Sequence, residues 1–169
     1  MKWSDDFTSE QKIQLTNALQ SVKDPEIDSI SIIELGMVDR VERNAQELTI
    51  YMLPTFMGCP ALDIIKSNVL KAVSQLVWID QTMVSFINDP PWTSERVTEV
   101  GRERLKEFGI SPPPKHFSMS GEWHVQCPYC DSTYTAMDNI FGPTACRSIL
   151  YCKSCKNPFE AMKPVSTMM

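Results

Sequence analysis

Two cysteine pairs, Cys127-Pro128-Tyr129-Cys130 and Cys152-Lys153-Ser154-Cys155, are separated by 21 residues and constrain this chain more than any other feature. Each pair sets two thiols on one tight turn, so that both can reach a single ion. Two such turns supply the four sulfurs of a closed tetrahedral site. Ser132–Met137 and Thr144–Tyr151 have strand character, which brings the turns together. A segment of fewer than about 50 residues buries little core, so the ion replaces the core as its organising contact. Zinc is the expected ion in what reads as a zinc-ribbon-like module over residues 122–169. Iron held by four thiolates, or an iron–sulfur cluster, uses the same spacing.

Composition narrows the setting. The chain has 169 residues, enough for one ordinary domain and a small appendage. An apolar fraction of 43% and a charged fraction of 22% are those of a globular protein. No apolar run approaches the roughly 18 residues of a membrane span, and the acidic, polar start is unlike a secretory signal. The expectation is a cytoplasmic protein without a membrane partner, whose cysteine pairs mean metal rather than disulfides. Residues 1–121 carry 12 Lys+Arg against 17 Asp+Glu, and residues 122–169 carry 4 of each. Neither part is basic, which argues against a nucleic-acid partner.

Ahead of the cysteine module the pattern is α+β. Thr8 and Gln11 have capping-box spacing, and Leu15, Ala18, Leu19 and Val22 recur at helical intervals, predicting a helix over 9–22. Residues 30–34 read as extended. Val38–Arg43 and Glu47–Leu53 read as a hairpin joined at Asn44-Ala45-Gln46. A second helix is expected from Pro60 to about Val77, then a strand over 83–88, then a third helix over 94–108 between Thr93 and Gly109. The order α-β-β-α-β-α predicts a small mixed sheet with packed helices over residues 1–109. Ile110-Ser111-Pro112-Pro113-Pro114 opens a semi-rigid linker over 110–121.

Several single residues carry chemistry. Cys59, in Thr55-Phe56-Met57-Gly58-Cys59-Pro60, precedes the second helix, where unpaired N–H groups and the helix dipole favour a thiolate of lowered pKa. The alternative is a small residue filling a turn. Cys146 alternates with Leu150 and Cys152, as a core thiol would, yet Gly142-Pro143 ahead of it suggests a shaped loop and a functional thiol. Six extended steps span roughly 20 Å, so Cys146 and Cys152 cannot share an ion unless the chain bends sharply. His116 and His124 read as linker or surface residues. Trp92 is either an exposed recognition surface or a staple into the third helix. No Ser-His-Asp set, phosphate-cradling glycine loop or di-iron carboxylate–histidine array is present, so the chain does not read as an enzyme acting alone.

Asp24-Pro25-Glu26, Leu35-Gly36-Met37-Val38, Leu53-Pro54-Thr55 with Gly58-Cys59-Pro60, and Pro90-Pro91-Trp92-Thr93 resemble, over about residues 8–108, the domain shared by SufT-like proteins and the cytosolic iron–sulfur targeting factors. With the added ribbon, including Phe141-Gly142-Pro143-Thr144-Ala145-Cys146, the whole chain is similar to the PaaD family. Its members are encoded with the phenylacetyl-CoA epoxidases of aerobic phenylacetate degradation, as subunits of that system. The resemblance implies that Cys59 handles iron or an iron–sulfur cluster transiently, with Asp24, Glu26, Thr55 and Cys146 as supporting candidates. Thr55 stands alone where the family often has two threonines. The clients implied are the oxygenase and reductase subunits of the epoxidase system. A structural or electron-transfer component of that complex is the alternative, and self-association as a homodimer is also open.

Overall fold

The computed structural model describes residues 1–115 and 123–165, and the chain divides into two compact units, Met1–Trp92 and Thr93–Met169.

The first unit opens with β1 (Lys2–Trp3) and α1 (Ser9–Gln20). The capping box is formed: the Gln11 N–H donates to Thr8 Oγ1 at 3.2 Å, and the Thr8 N–H donates to Gln11 Oε1 at 3.0 Å. Next come β2 (Lys23–Asp24), β3 (Ile27–Ser31), β4 (Val38–Asn44) and β5 (Glu47–Met52). β2 and β3 pair with each other, and the chain then turns at Gly36, whose φ of +67° is open to glycine at little steric cost. β4 and β5 form the expected hairpin, with Ala45 in the left-handed region at φ +52°. α2 (Leu62–Val73) crosses over to β6 (Gln81–Phe86), which lies parallel to β5. The four-stranded sheet runs β1-β4-β5-β6.

Alternation explains the core. Leu48, Ile50 and Met52 of β5 are buried together with Leu15 and Leu19 of α1 and Ile65, Val69 and Val73 of α2. α2 is shorter than its apolar stripe predicts. Its N-cap is Ala61, which makes no side-chain cap bond. At the other end the helix stops at Val73, and Val77 is 97% exposed.

In the second unit a 3₁₀ turn at Ser94–Arg96 precedes α3 (Glu99–Glu107). Val97 is extended (φ −66°, ψ 120°) and interrupts the expected helix. The cap is Thr98, which accepts from the Gly101 N–H at 3.0 Å, whereas Thr93 makes no such bond. β7 (Ile110–Ser111), β8 (Thr135–Asn139), β9 (Arg147–Cys152) and β10 (Pro158–Met162) form a sheet ordered β7-β10-β9-β8. Ile110 and Ser111, expected at the start of a linker, instead pair in parallel with Glu160 and Ala161. The Arg102 guanidinium donates to the carbonyls of Ser94 and Pro113, tying α3 to the segments on either side of it. Third helix, proline run and ribbon thus belong to one unit, whereas the sequence pattern groups that helix with the first domain. A small cluster of Val125, Cys127, Leu150, Cys152, Phe159 and Ala161 fills the ribbon. Among the described residues, no helix is long and apolar enough to cross a membrane.

Candidate metal centre and thiol site

The two cysteine turns are built alike. After Cys130 the chain passes through Asp131 at φ +58°, and the Asp131 N–H returns to the Cys127 carbonyl at 3.0 Å. After Cys155 it passes through Lys156 at φ +61°, and the Lys156 N–H returns to the Cys152 carbonyl at 2.9 Å. The sheet sets the turns face to face, and Ser132 Oγ and Ser154 Oγ meet at 2.7 Å between them. Cys127 and Cys155 sulfurs lie 3.6 Å apart, as do those of Cys130 and Cys152, and all four fall within 4.8 Å of one another. A tetrahedral ion with 2.3 Å bonds to sulfur requires about 3.8 Å along each edge. The donor set fits such an ion, with separations that bracket this edge and need shifts of no more than about 1 Å.

Without an ion, Cys127 and Cys155 do not ionise alike. Burial pushes the Cys127 thiol up to about 12. Hydrogen bonding from Asn157 pulls Cys155 down to about 6, helped by the neighbouring thiols. Cys155 thus favours the thiolate near neutrality, and Cys127 keeps its proton until something positive displaces it.

Cys146 is outside this group. It immediately precedes β9 and is half-buried, with Thr144 Oγ1 3.2 Å from its sulfur and its carbonyl accepting from the Lys163 N–H at 2.9 Å. The residues from 147 to 152 are extended, which keeps it away from the four sulfurs. His124 is exposed, and His116 lies outside the described residues.

In the first unit, Cys59 closes a turn in which its N–H donates to the Phe56 carbonyl at 3.3 Å. It is half-buried and flanked by Phe56 and Met57, which are 43% and 62% exposed. Gly58 holds φ +83°, and a Cβ there would meet nothing within 4 Å, so the space above the turn is open and only the backbone angle demands glycine. Thr55 is half-buried in the same loop, after the buried Leu53 and Pro54. Asp24 and Glu26 form their own turn, with the Glu26 N–H donating to Asp24 Oδ1 at 2.8 Å.

The expected lowering of the Cys59 pKa is not found. Burial raises it, and the nearby Glu26 and Asp24 carboxylates raise it further, although the Ala61 N–H works in the opposite direction. α2 begins three residues beyond Cys59, at Leu62. Its dipole fades within the first turn, and burial prevails. Cys59 is therefore a neutral thiol near pH 7.

Trp92 is not an exposed surface. It is 3% exposed, and its indole N–H donates to the Leu35 carbonyl at 2.8 Å. Sequence reading also missed Asn157, for which the one signal was an amide two residues after the last cysteine.

A half-buried thiol in an α+β unit, followed by a four-sulfur ribbon, fits an iron–sulfur assembly-type domain joined to a zinc ribbon. Comparison with known proteins agrees: residues 12–86 match the model of the iron–sulfur cluster assembly protein family, and residues 111–163 match that of the PaaD zinc beta ribbon domain. An Escherichia coli (strain K12) protein, described as one subunit of a "Putative 1,2-phenylacetyl-CoA epoxidase", is 37% identical over 149 residues, covering 86% of this chain and 88% of that one. The chain belongs to the PaaD family. The Fe-S protein maturation auxiliary factor YitW of Bacillus subtilis (strain 168) is 36% identical over 95 residues, covering 56% of this chain and 92% of that one. Among solved structures, a domain of unknown function, DUF59, from Bacillus anthracis aligns with 32% identity and a TM-score of 0.51, over 55% of this chain and 89% of the other.

Proposed function

We propose that this chain is an accessory factor that supplies iron or an iron–sulfur cluster to the oxygenase and reductase subunits of a phenylacetyl-CoA epoxidase. Similarity to maturation factors and to an epoxidase subunit supports an accessory role in iron–sulfur assembly. The finer reading rests on one observation: the first unit holds a single half-exposed thiol beside two carboxylates, while four other cysteines satisfy one another in the ribbon.

In this reading Cys59 is the transfer ligand. An incoming iron centre forms its bond to the sulfur as the S–H bond breaks, and the proton leaves through the Asp24 and Glu26 carboxylates to solvent. A thiol that prefers its proton binds the centre weakly and releases it readily, as a carrier must. The ribbon's ion is zinc in this proposal, held by Cys127, Cys130, Cys152 and Cys155. It fixes a docking module and takes no part in transfer.

The test is Cys59→Ser, co-expressed with the oxygenase and reductase. Iron content and visible absorption of the purified client proteins are expected to fall severalfold, while zinc in the variant stays unchanged. Fully loaded clients with unaltered turnover would refute the role of Cys59.

A further inference from the structure

Arg102, on α3 in the second unit, is 9% exposed. Taking a guanidinium out of water is costly unless its charge and its donors are matched. Here the match is incomplete. The two terminal nitrogens donate to the carbonyls of Pro113 and Ser94, which are neutral acceptors. The Nε–H is buried and finds no acceptor among the described residues. Glu99 attracts the guanidinium through space, but its carboxylate is bonded to Lys115 at 2.7 Å. Burial prevails and lowers the Arg102 pKa, the sign of a charge short of compensation.

The other buried arginine described in this unit shows the contrast. Arg147 Nε donates to Thr144 Oγ1 at 2.9 Å, and its Nη1 lies 2.7 Å from the Glu160 carboxylate. Arg102 has neither an acceptor at Nε nor a bonded carboxylate.

What Arg102 does have is a cavity. It lines a space of about 360 Å³ within the second unit, and cavities of about 300–1,000 Å³ hold small ligands. The proline run from Pro112 to Pro114 supplies an apolar wall. Lys106 and Asp131 also line the cavity, bonded to each other, and both are exposed. Arginine and lysine together outnumber that one carboxylate, so an anion is favoured over a neutral or cationic ligand. The carbonyl bonds hold the guanidinium in place, so its Nε–H cannot turn to another acceptor. A water molecule would satisfy the donor but not the charge, and would leave the prolines uncovered.

We propose that this cavity binds a small organic anion, whose carboxylate or phosphate oxygen accepts from Arg102 Nε while its body lies against the prolines. Lys106 is the second cation, shared between the ligand and Asp131. A charge-assisted bond from a fixed, buried donor supplies orientation as well as affinity. The site depends neither on the role of Cys59 nor on the identity of the ribbon's ion.

The test uses the full chain with its ribbon metal bound, and nuclear magnetic resonance of the Arg102 Nε–H at pH 7. Inorganic phosphate and acetate are titrated separately, against chloride at matched ionic strength. A saturable downfield shift of the Nε–H is expected with at least one oxyanion, in the millimolar range because each probe supplies only a headgroup. Chloride should leave that proton unmoved. A response to phosphate alone assigns a phosphate ester, a response to acetate alone a carboxylate, and both support the site. Lys106→Gln alters an exposed side chain and should weaken binding about two- to fivefold. Arg102→Gln should abolish it, read from the Ser111 and Gln126 amides. If Arg102→Gln does not fold, the Nε–H shift in Lys106→Gln decides. A drift that never saturates, or one that chloride reproduces, overturns the proposal. So does saturable binding that leaves the Nε–H unmoved or is unchanged in folded Lys106→Gln.

Discussion

Removing the ribbon's ion should unfold the ribbon strands and leave the first unit intact. Among the described residues, and apart from its cysteines and Ala161, the ribbon cluster buries three large apolar side chains, Val125, Leu150 and Phe159, with the partly buried Trp123 packed against them. At about 1.5–3 kcal/mol each, their burial contributes roughly 5–9 kcal/mol. A structural zinc contributes on the order of 10–16 kcal/mol, so the ion outweighs the core. The first unit keeps its own core around Leu15, Leu19, Ile50, Ile65 and Val69. Titration with a strong chelator, followed by hydrogen exchange, should strip protection from residues 147–152 and 158–162 at one equivalent of ion removed. Protection in α1, β5 and α2 should be unchanged. Acid should mimic the chelator. Burial holds Cys127 at about 12, and Cys130 is also raised, so binding near pH 7 expels at least two protons. Affinity should then fall about a hundredfold per pH unit, and more steeply below the value of about 6 at Cys155. Undiminished protection in β9 and β10 after complete removal of the ion would refute this view of the ribbon.

The thiol of Cys59, raised above the ordinary 9.0, should react with iodoacetamide more slowly than a free cysteine at pH 8. Asp24→Asn with Glu26→Gln should speed that reaction, measured by mass spectrometry of the residue 59 peptide. Because the folded state resists ionisation of this thiol, its contribution to stability is present below pH 9 and is lost as pH rises above it. Trp92→Phe removes the indole donor from the Leu35 carbonyl and should lower stability by about 1–3 kcal/mol in urea melts. Thr8→Ala removes one half of the capping box and should lower stability by about 1 kcal/mol. Ala45→Gly relieves a left-handed alanine and should be neutral or raise the melting temperature slightly.

Local signals were legible in the sequence and tertiary ones were not. The box at Thr8 and Gln11, the hairpin at Ala45 and the paired cysteine turns all depend on neighbours a few residues apart. β10 escaped notice because it opens with Pro158 directly after a cysteine turn, and its apolar set is only Phe159, Ala161 and Met162. β7 was hidden by the three prolines that follow it. The start of α3 was misplaced because two threonines compete as caps, and the extended Val97 decides for Thr98. The largest error concerned Cys59. The unpaired N–H groups and dipole at a helix start are local, whereas burial dominates at Cys59, and the carboxylates of Glu26 and Asp24, more than thirty residues earlier in the chain, add a smaller push in the same direction.

The protonated state of Cys59 also bears on its durability. Peroxide and disulfides attack the thiolate, and each oxidation step beyond sulfenic acid is harder to reverse. A sulfur that keeps its proton through neutral pH, with two carboxylates repelling further negative charge, is a poor target for that chemistry. The surroundings that keep the proton on Cys59 thus also slow its oxidation.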